Sequence, residues 1–294
     1  MNRTIGALAC RFAGLVVVAA IGCGGDAIQP EKSDSTGESP RHIRVAVAAN
    51  LKFAFQEIEA AFRQASPEIR LEVAYGSSGN FYAQLTQRAP FDIFFSADTE
   101  YPRRLVELGL ADEDAYFPYA TGEIVVWLPQ GSRLDLKSQG IQVLVDPSVL
   151  KVANANPRLA PYGVAAEEAM KHFDVYDRVQ PKFVLGENLA QVAQFLESGA
   201  ADAGILSASL ALMPQLQQQG RYWSVPTDAY SPIRQAAVIP NWCRDRPAVE
   251  QLRDLMTKGI GRDILKKYGY QLPDETTVAR TSETAGTSAT IQNE

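Results

Sequence analysis

The chain has 294 residues, 46% apolar and 21% charged, with a formal net charge of −6. That is ordinary globular composition at a length that allows two lobes. The acidic balance excludes a broad basic face for nucleic acid, but it leaves room for a small anion in a local pocket of N–H and O–H donors.

The first 22 residues read as an export signal. Asn2 and Arg3 precede an apolar, small-residue run from Phe12 to Gly22, too short to span a bilayer. Its end, Ala20-Ile21-Gly22-Cys23, resembles a bacterial lipoprotein signal, which implies cleavage before Cys23 and acylation of its sulfur. Residues 23–40, rich in Gly, Ser, Asp, Glu and Pro, read as a flexible tether. Residues 274–294 are expected to be a disordered Thr/Ser-rich tail. The other cysteines, Cys10 and Cys243, suggest no disulfide framework, and His42 and His172 are too isolated to form a metal cluster.

Within the body, Ile43 to Ala49 reads as a strand. Asn50 is the expected N-cap of a helix from Leu51 to Ala65, with Leu51, Phe55, Ile58 and Phe62 on one face. Arg70 to Tyr75 alternates as a strand does, and Gly76-Ser77-Ser78-Gly79 turns it into a short helix. Phe91 to Ser96 is a near-continuous apolar strand, and a helix follows from Thr99 to Leu108. Glu123 to Leu128 reads as a strand crossing to a second lobe. There, Ile141 to Val145 reads as a short helix and Leu150 to Asn154 as a strand. A helix starts near Tyr162-Gly163, and a strand at 182–185 leads through Gly186-Glu187-Asn188 into the helix Leu189 to Glu197. Asp202 to Leu206 is a strand, and Ser207 opens another helix. Arg234 to Ile239 returns to the first lobe, and helices at 247–257 and 261–267 close the body. The alternation predicts an α/β fold with two lobes, each a mostly parallel sheet flanked by helices: 41–122 and 233–273 in the first, 123–232 in the second.

Five strand-to-helix turns carry small or donor-rich residues: Asn50, the Gly76 to Gly79 turn, Tyr162-Gly163, Gly186 to Leu189, and Ser207. Each presents backbone N–H groups at a helix start, where the helix dipole adds partial positive charge. Singly, each is an ordinary cap. Gathered in a cleft, they would suit a fully deprotonated tetrahedral oxyanion, which only accepts hydrogen bonds. Phosphate keeps a proton at neutral pH and benefits from a carboxylate acceptor; Asp98 instead reads as the cap of the Thr99 helix, and Glu187 as pointing away. An exported hydrolase with a serine nucleophile fits poorly. Ser77-Ser78 lacks the Gly-x-Ser-x-Gly elbow, no histidine is placed for a triad, and the glycines match neither a Walker loop nor a dinucleotide fingerprint. Trp127, Trp223, Tyr116 and Tyr119 read as core or hinge packing, and Cys243 as a structural thiol.

Several stretches together resemble the molybdate-binding proteins of bacterial ABC transporters. They are Val45 to Leu51, Tyr75 to Gly79, Ala89 to Asp98, Asn156 to Gly163, and Ser198 to Asp202. The resemblance implies a two-lobe periplasmic-binding-protein fold that captures molybdate or tungstate between its lobes. It implies no enzymatic activity, no cofactor, and an ABC permease as partner of a monomer anchored through Cys23. Carried over by position, Asn50 should donate from backbone or amide, Ser78 from hydroxyl and N–H, and Tyr162 and Leu189 from N–H; Ala49, Ser77, Gly79, Asn188 and Ser207 are further candidates. The chain departs from many relatives at Asn50, where they have Ser. Ala49 has no hydroxyl where some relatives have Thr, and Ser207 replaces a ligand-binding Tyr found in others. The alternative reading is a receptor for sulfate or phosphate.

Overall fold

Strand β1 (Arg41–Ala48) has every side chain from Val45 onward buried, as a strand with neighbours on both edges and helices on both faces requires. The structure is a computed structural model and describes residues 41–273. The signal, Cys23, the tether and the tail lie outside the described residues.

A single 3-10 turn, Ala49–Leu51, links β1 to α1 (Lys52–Ala65), which buries Ala54, Phe55, Ile58 and Phe62 at helical spacing. Then come β2 (Ile69–Gly76), α2 (Ser78–Thr86), β3 (Ile93–Phe95), α3 (Glu100–Glu107) and β4 (Ala111–Gly122). The chain passes into the second sheet at β5 (Ile124–Pro129). It continues through α4 (Leu136–Gln139), a 3-10 segment at Gly140–Val145, β6 (Val152–Ala155), α5 (Pro161–His172), α6 (Tyr176–Val179) and β7 (Phe183–Gly186). Next are α7 (Leu189–Glu197), β8 (Ala203–Ser207), α8 (Ala208–Ala211), α9 (Pro214–Gln219) and β9 (Gly220–Ser224). β10 (Ile233–Pro240) rejoins the first sheet, followed by α10 (Arg246–Lys258) and α11 (Ile260–Lys267).

The strand orders are β2-β1-β3-β10-β4 and β7-β6-β8-β5-β9. Both sheets are mixed rather than mostly parallel. Each has two parallel pairings on its βαβ side and two antiparallel pairings where crossing strands enter. The reason is connectivity: a strand arriving from the other lobe needs no helical crossover, so it can pair antiparallel. Each sheet has its own core. Phe55, Phe62, Phe94, Phe95 and Phe117 fill the first, and Trp127, Val143, Leu144, Met170 and Leu206 the second. Fully burying one such large apolar side chain contributes roughly 1.5–3 kcal/mol.

Asp92, 1% exposed beneath the first sheet, is held by Arg244 and by the backbone N–H groups of Arg44 and Arg244. Burial alone would raise its carboxyl, but these donors outweigh it and hold the pKa below the ordinary range.

Candidate functional site

The two sheets direct four helix starts to one place. In lobe I, Ser77 caps α2 by accepting the Asn80 N–H at 3.3 Å. This leaves Ser78 at the first helical position, where its N–H has no intrahelical acceptor. The Ser78 hydroxyl accepts the Ala97 N–H at 2.9 Å, so its own hydrogen remains available to donate. In lobe II, Asn156 accepts the N–H groups of Leu159 and Ala160, delivering the chain to Pro161 at the start of α5. Proline's fixed φ suits that position, and Tyr162 follows with its N–H in the first turn. Asn188 caps α7 by accepting from Ala190 and Gln191, which leaves the Leu189 N–H as the orphan donor.

Asn50 is not an N-cap. It sits inside the 3-10 turn, whose preceding residue, Ala48, makes no side-chain cap. Its amide instead donates both hydrogens away from the cleft, to Gln235 Oε1 at 2.9 Å and to the Tyr270 hydroxyl at 3.0 Å. The donor Asn50 can offer is therefore its main-chain N–H.

These turns surround one small cavity between the lobes. Its lining is Ala48, Ala49, Asn50, Gly76, Ser77, Ser78, Ala97, Ala160, Pro161, Tyr162, Asn188 and Leu189. None of the twelve carries a charged side chain. Two other candidates lie elsewhere. The Gly79 N–H is spent on the Leu159 carbonyl of the opposite lobe at 2.9 Å. Ser207, fully buried, caps α8 and pairs with the Ser209 hydroxyl at 2.9 Å, outside the lining. Asp98 turns to its own helix, accepting from the Ser96 hydroxyl and the Tyr101 N–H, both at 3.0 Å. Glu187 is exposed.

A second layer of polar side chains lies behind the cavity; by sequence Tyr119 reads as core or hinge packing, and Gln235, Tyr270 and Ser209 are not singled out. Gln235 (0% exposed) accepts from Asn50 and from the Tyr119 hydroxyl at 2.9 Å, and donates through Nε2 to the Tyr162 hydroxyl at 3.0 Å. The Tyr270 and Ser209 hydroxyls each donate to the Asn50 carbonyl at 2.9 Å. Burial raises the phenols of Tyr119 and Tyr162 well above 10 and that of Tyr270 to about 12, so all three are neutral donors at physiological pH. The signal for this layer was faint: a Gln beside Arg234 at the start of the otherwise apolar run Ile233 to Ile239.

The model of the bacterial extracellular solute-binding proteins matches residues 43–271, most of the chain. The chain belongs to that family. It is 36% identical over 228 residues to the molybdate-binding protein ModA of Rhodobacter capsulatus, covering 78% of this chain and 87% of that protein. It is 33% identical to ModA of Azotobacter vinelandii over 230 residues, covering 78% and 90%. The solved periplasmic molybdate-binding protein of Azotobacter vinelandii superposes with a TM-score of 0.72 at 30% identity, over 79% of this chain and all of that one. The sulfate-binding protein SubI of Mycobacterium tuberculosis, at 13% identity and a TM-score of 0.64, shares the fold.

Proposed function

We propose that this chain is an extracytoplasmic binding protein that captures molybdate, or its near-isostere tungstate, between its lobes and passes it to an ABC permease. The observation that carries the reading is the lining: twelve residues, donors at helix starts from both lobes, and no charged side chain. A dianion buried without donors would cost tens of kcal/mol on an idealised estimate. Each hydrogen bond to a charged partner returns roughly 1.5–3 kcal/mol, so several must converge. The main-chain N–H of Asn50, the N–H and hydroxyl of Ser78, and the N–H groups of Tyr162 and Leu189 supply such a set without a counter-charge. No carboxylate lines the cavity to accept the proton of hydrogen phosphate, which argues for a guest that carries none. The relatives that this chain matches at 33–36% identity are named for molybdate, which favours it over the smaller sulfate.

Calorimetric titration with molybdate, tungstate, sulfate and phosphate tests this. Molybdate and tungstate should bind tightly and alike, with sulfate and phosphate far weaker. Sulfate binding as tightly as molybdate would defeat the assignment.

The family works outside the cytoplasm. The Ala20 to Cys23 sequence supports a receptor held at the membrane by a lipid on the Cys23 sulfur. In cells making the full chain, the protein should then fractionate with membranes, and Cys23→Ser should release it. Equal partitioning of the two forms would rule the anchor out.

A further inference from the structure

Bonds of the polar layer behind the cavity cross between the lobes, among them the Ser209 hydroxyl to the Asn50 carbonyl and the Gln235 amide to the Tyr162 hydroxyl. Gln235 comes from β10, in the first sheet, and Tyr162 from α5, packed on the second. On the lobe I side, the Gln235 oxygen holds the Asn50 amide. It also takes Tyr119, whose hydroxyl hydrogen is shared with the Ser96 carbonyl at 2.8 Å. Tyr119 reaches it because β4 bulges there: Gln235 opposes Ala120 and Ala236 opposes Pro118, so Tyr119 is the extra residue. A bulge re-aims a side chain in this way. On the lobe II side, the Gln235 nitrogen donates to the Tyr162 hydroxyl. The two residues so joined, Asn50 and Tyr162, both line the anion cavity, one from each lobe.

The last residue of β4 before the crossing, Gly122, is pressed against the same pair. A Cβ there would come within 1.9 Å of the Tyr162 hydroxyl oxygen and 2.7 Å of Gln235 Nε2. A side chain at the hinge and the Gln235–Tyr162 bond therefore exclude each other.

We propose that Gln235 is the positioning residue that couples the two halves of the anion site, its amide fixing Asn50 in lobe I and clasping Tyr162 of lobe II when the lobes close. It does not touch the anion. The Asn50 amide is fully used, so the turn that aims the Asn50 N–H is held by Gln235 and Tyr270. The Tyr162 hydroxyl meets Gln235 only with the lobes together, so the clasp adds to the closed state and not to the open one. A feature of the closed state alone slows release of the guest and leaves its capture unchanged. The proposal rests on the anion-binding reading above.

The test uses the folded protein, radiolabelled molybdate, and release into excess unlabelled molybdate. Its variants are Gln235→Met, Tyr162→Phe and the double substitution. Tyr162→Phe keeps the main-chain donor and removes the hydroxyl alone. Gln235→Met should release molybdate at least tenfold faster. Tyr162→Phe should shift in the same direction by less, and the double variant should release no faster than Gln235→Met, because Gln235→Met has already broken the one contact that Tyr162→Phe removes. If Gln235→Met fails to fold, Gly122→Ala with Tyr162→Phe reads the same clasp, with the same non-additive expectation. The coupling is overturned if the two effects multiply in the double variant, or if melting falls while release stays at the wild-type rate. A wild type that retains no molybdate would overturn the functional reading itself, a different result from retention with independent variants.

Discussion

Asp98 follows the lining residue Ala97, and its carboxyl is pushed up to about 6, chiefly by burial and further by the neighbouring Glu100. The N–H of Tyr101 and the hydroxyl of Ser96 partly offset this. The sign follows from linkage. The folded chain holds the proton more tightly than the unfolded one, whose carboxyl titrates near 3.9. The stability this confers is complete below about pH 4 and is lost as pH rises through about 6. At pH 7.5 the fold therefore carries an ionised, part-buried carboxylate. Asp98→Asn keeps the acceptor oxygen for the Tyr101 N–H and removes the charge. We expect it to stabilise the protein at pH 7.5 by about 1–2 kcal/mol, below the roughly 3 kcal/mol of a two-unit shift because the group is partly exposed. At pH 4 the two proteins should melt together. Thermal unfolding across pH 4–8 measures this, and a gap between the proteins that does not change with pH would refute it.

At the scale of the element, what was legible in the sequence is what local chemistry decides. β1, α1, α2, β3 and α7 announce themselves through apolar periodicity and capping residues, and Ser77 and Asn188 cap as their side chains predict. Four of the five donor turns converge on the cavity because each ends a strand at the same edge of its sheet. β4 and β9 were not legible. Edge position alone does not explain this, since β2 and β7 are edge strands too; β9, Gly220 to Ser224, is short and mostly polar or half-exposed. β4 opens with Asp112-Glu113-Asp114 and carries Pro118, whose missing N–H sits beside the bulge. Asn50 illustrates the same limit at the site. Its short amide is a good cap by local rules, yet tertiary contacts 185 and 220 residues away claimed it. No local pattern encodes Gln235, Tyr270 or Ser209 as its partners, because the first two come from the far end of the chain, back in the first lobe, and the third from the other lobe.

For the whole molecule, the question is how two lobes with separate cores come together around a guest that offers no hydrophobic surface. The contacts between them are apolar as well as polar: Ala48, Ala97 and Ile233 of the first lobe pack into the second lobe's core. The polar ones include the Gln235–Tyr162 bond, the Ser209–Asn50 bond, and a main-chain bond from the Gly79 N–H to the Leu159 carbonyl. The last needs close approach. A Cβ at Gly79 would stand 3.0 Å from the Leu159 carbonyl oxygen, 3.1 Å from its Cα and 3.0 Å from the Tyr101 hydroxyl oxygen. Gly79 lies in the first turn of α2, so alanine there suits the helix and should stabilise the isolated lobe by a few tenths to about 1 kcal/mol. Within its own lobe the methyl meets only the Tyr101 hydroxyl, the far end of a side chain that can turn aside, whereas in the facing lobe it meets the Leu159 backbone. Gly79→Ala should therefore leave the melting temperature of the anion-free protein equal or higher while weakening molybdate binding by about 1–3 kcal/mol, the usual cost of overpacking a tight contact. Calorimetry gives the affinity, and small-angle scattering should show the loaded variant slightly more open than the loaded wild type. Unchanged affinity would mean that the backbone of α2 need not touch lobe II for the anion to be held, and closure would then rest on the donor set and the Gln235 clasp alone.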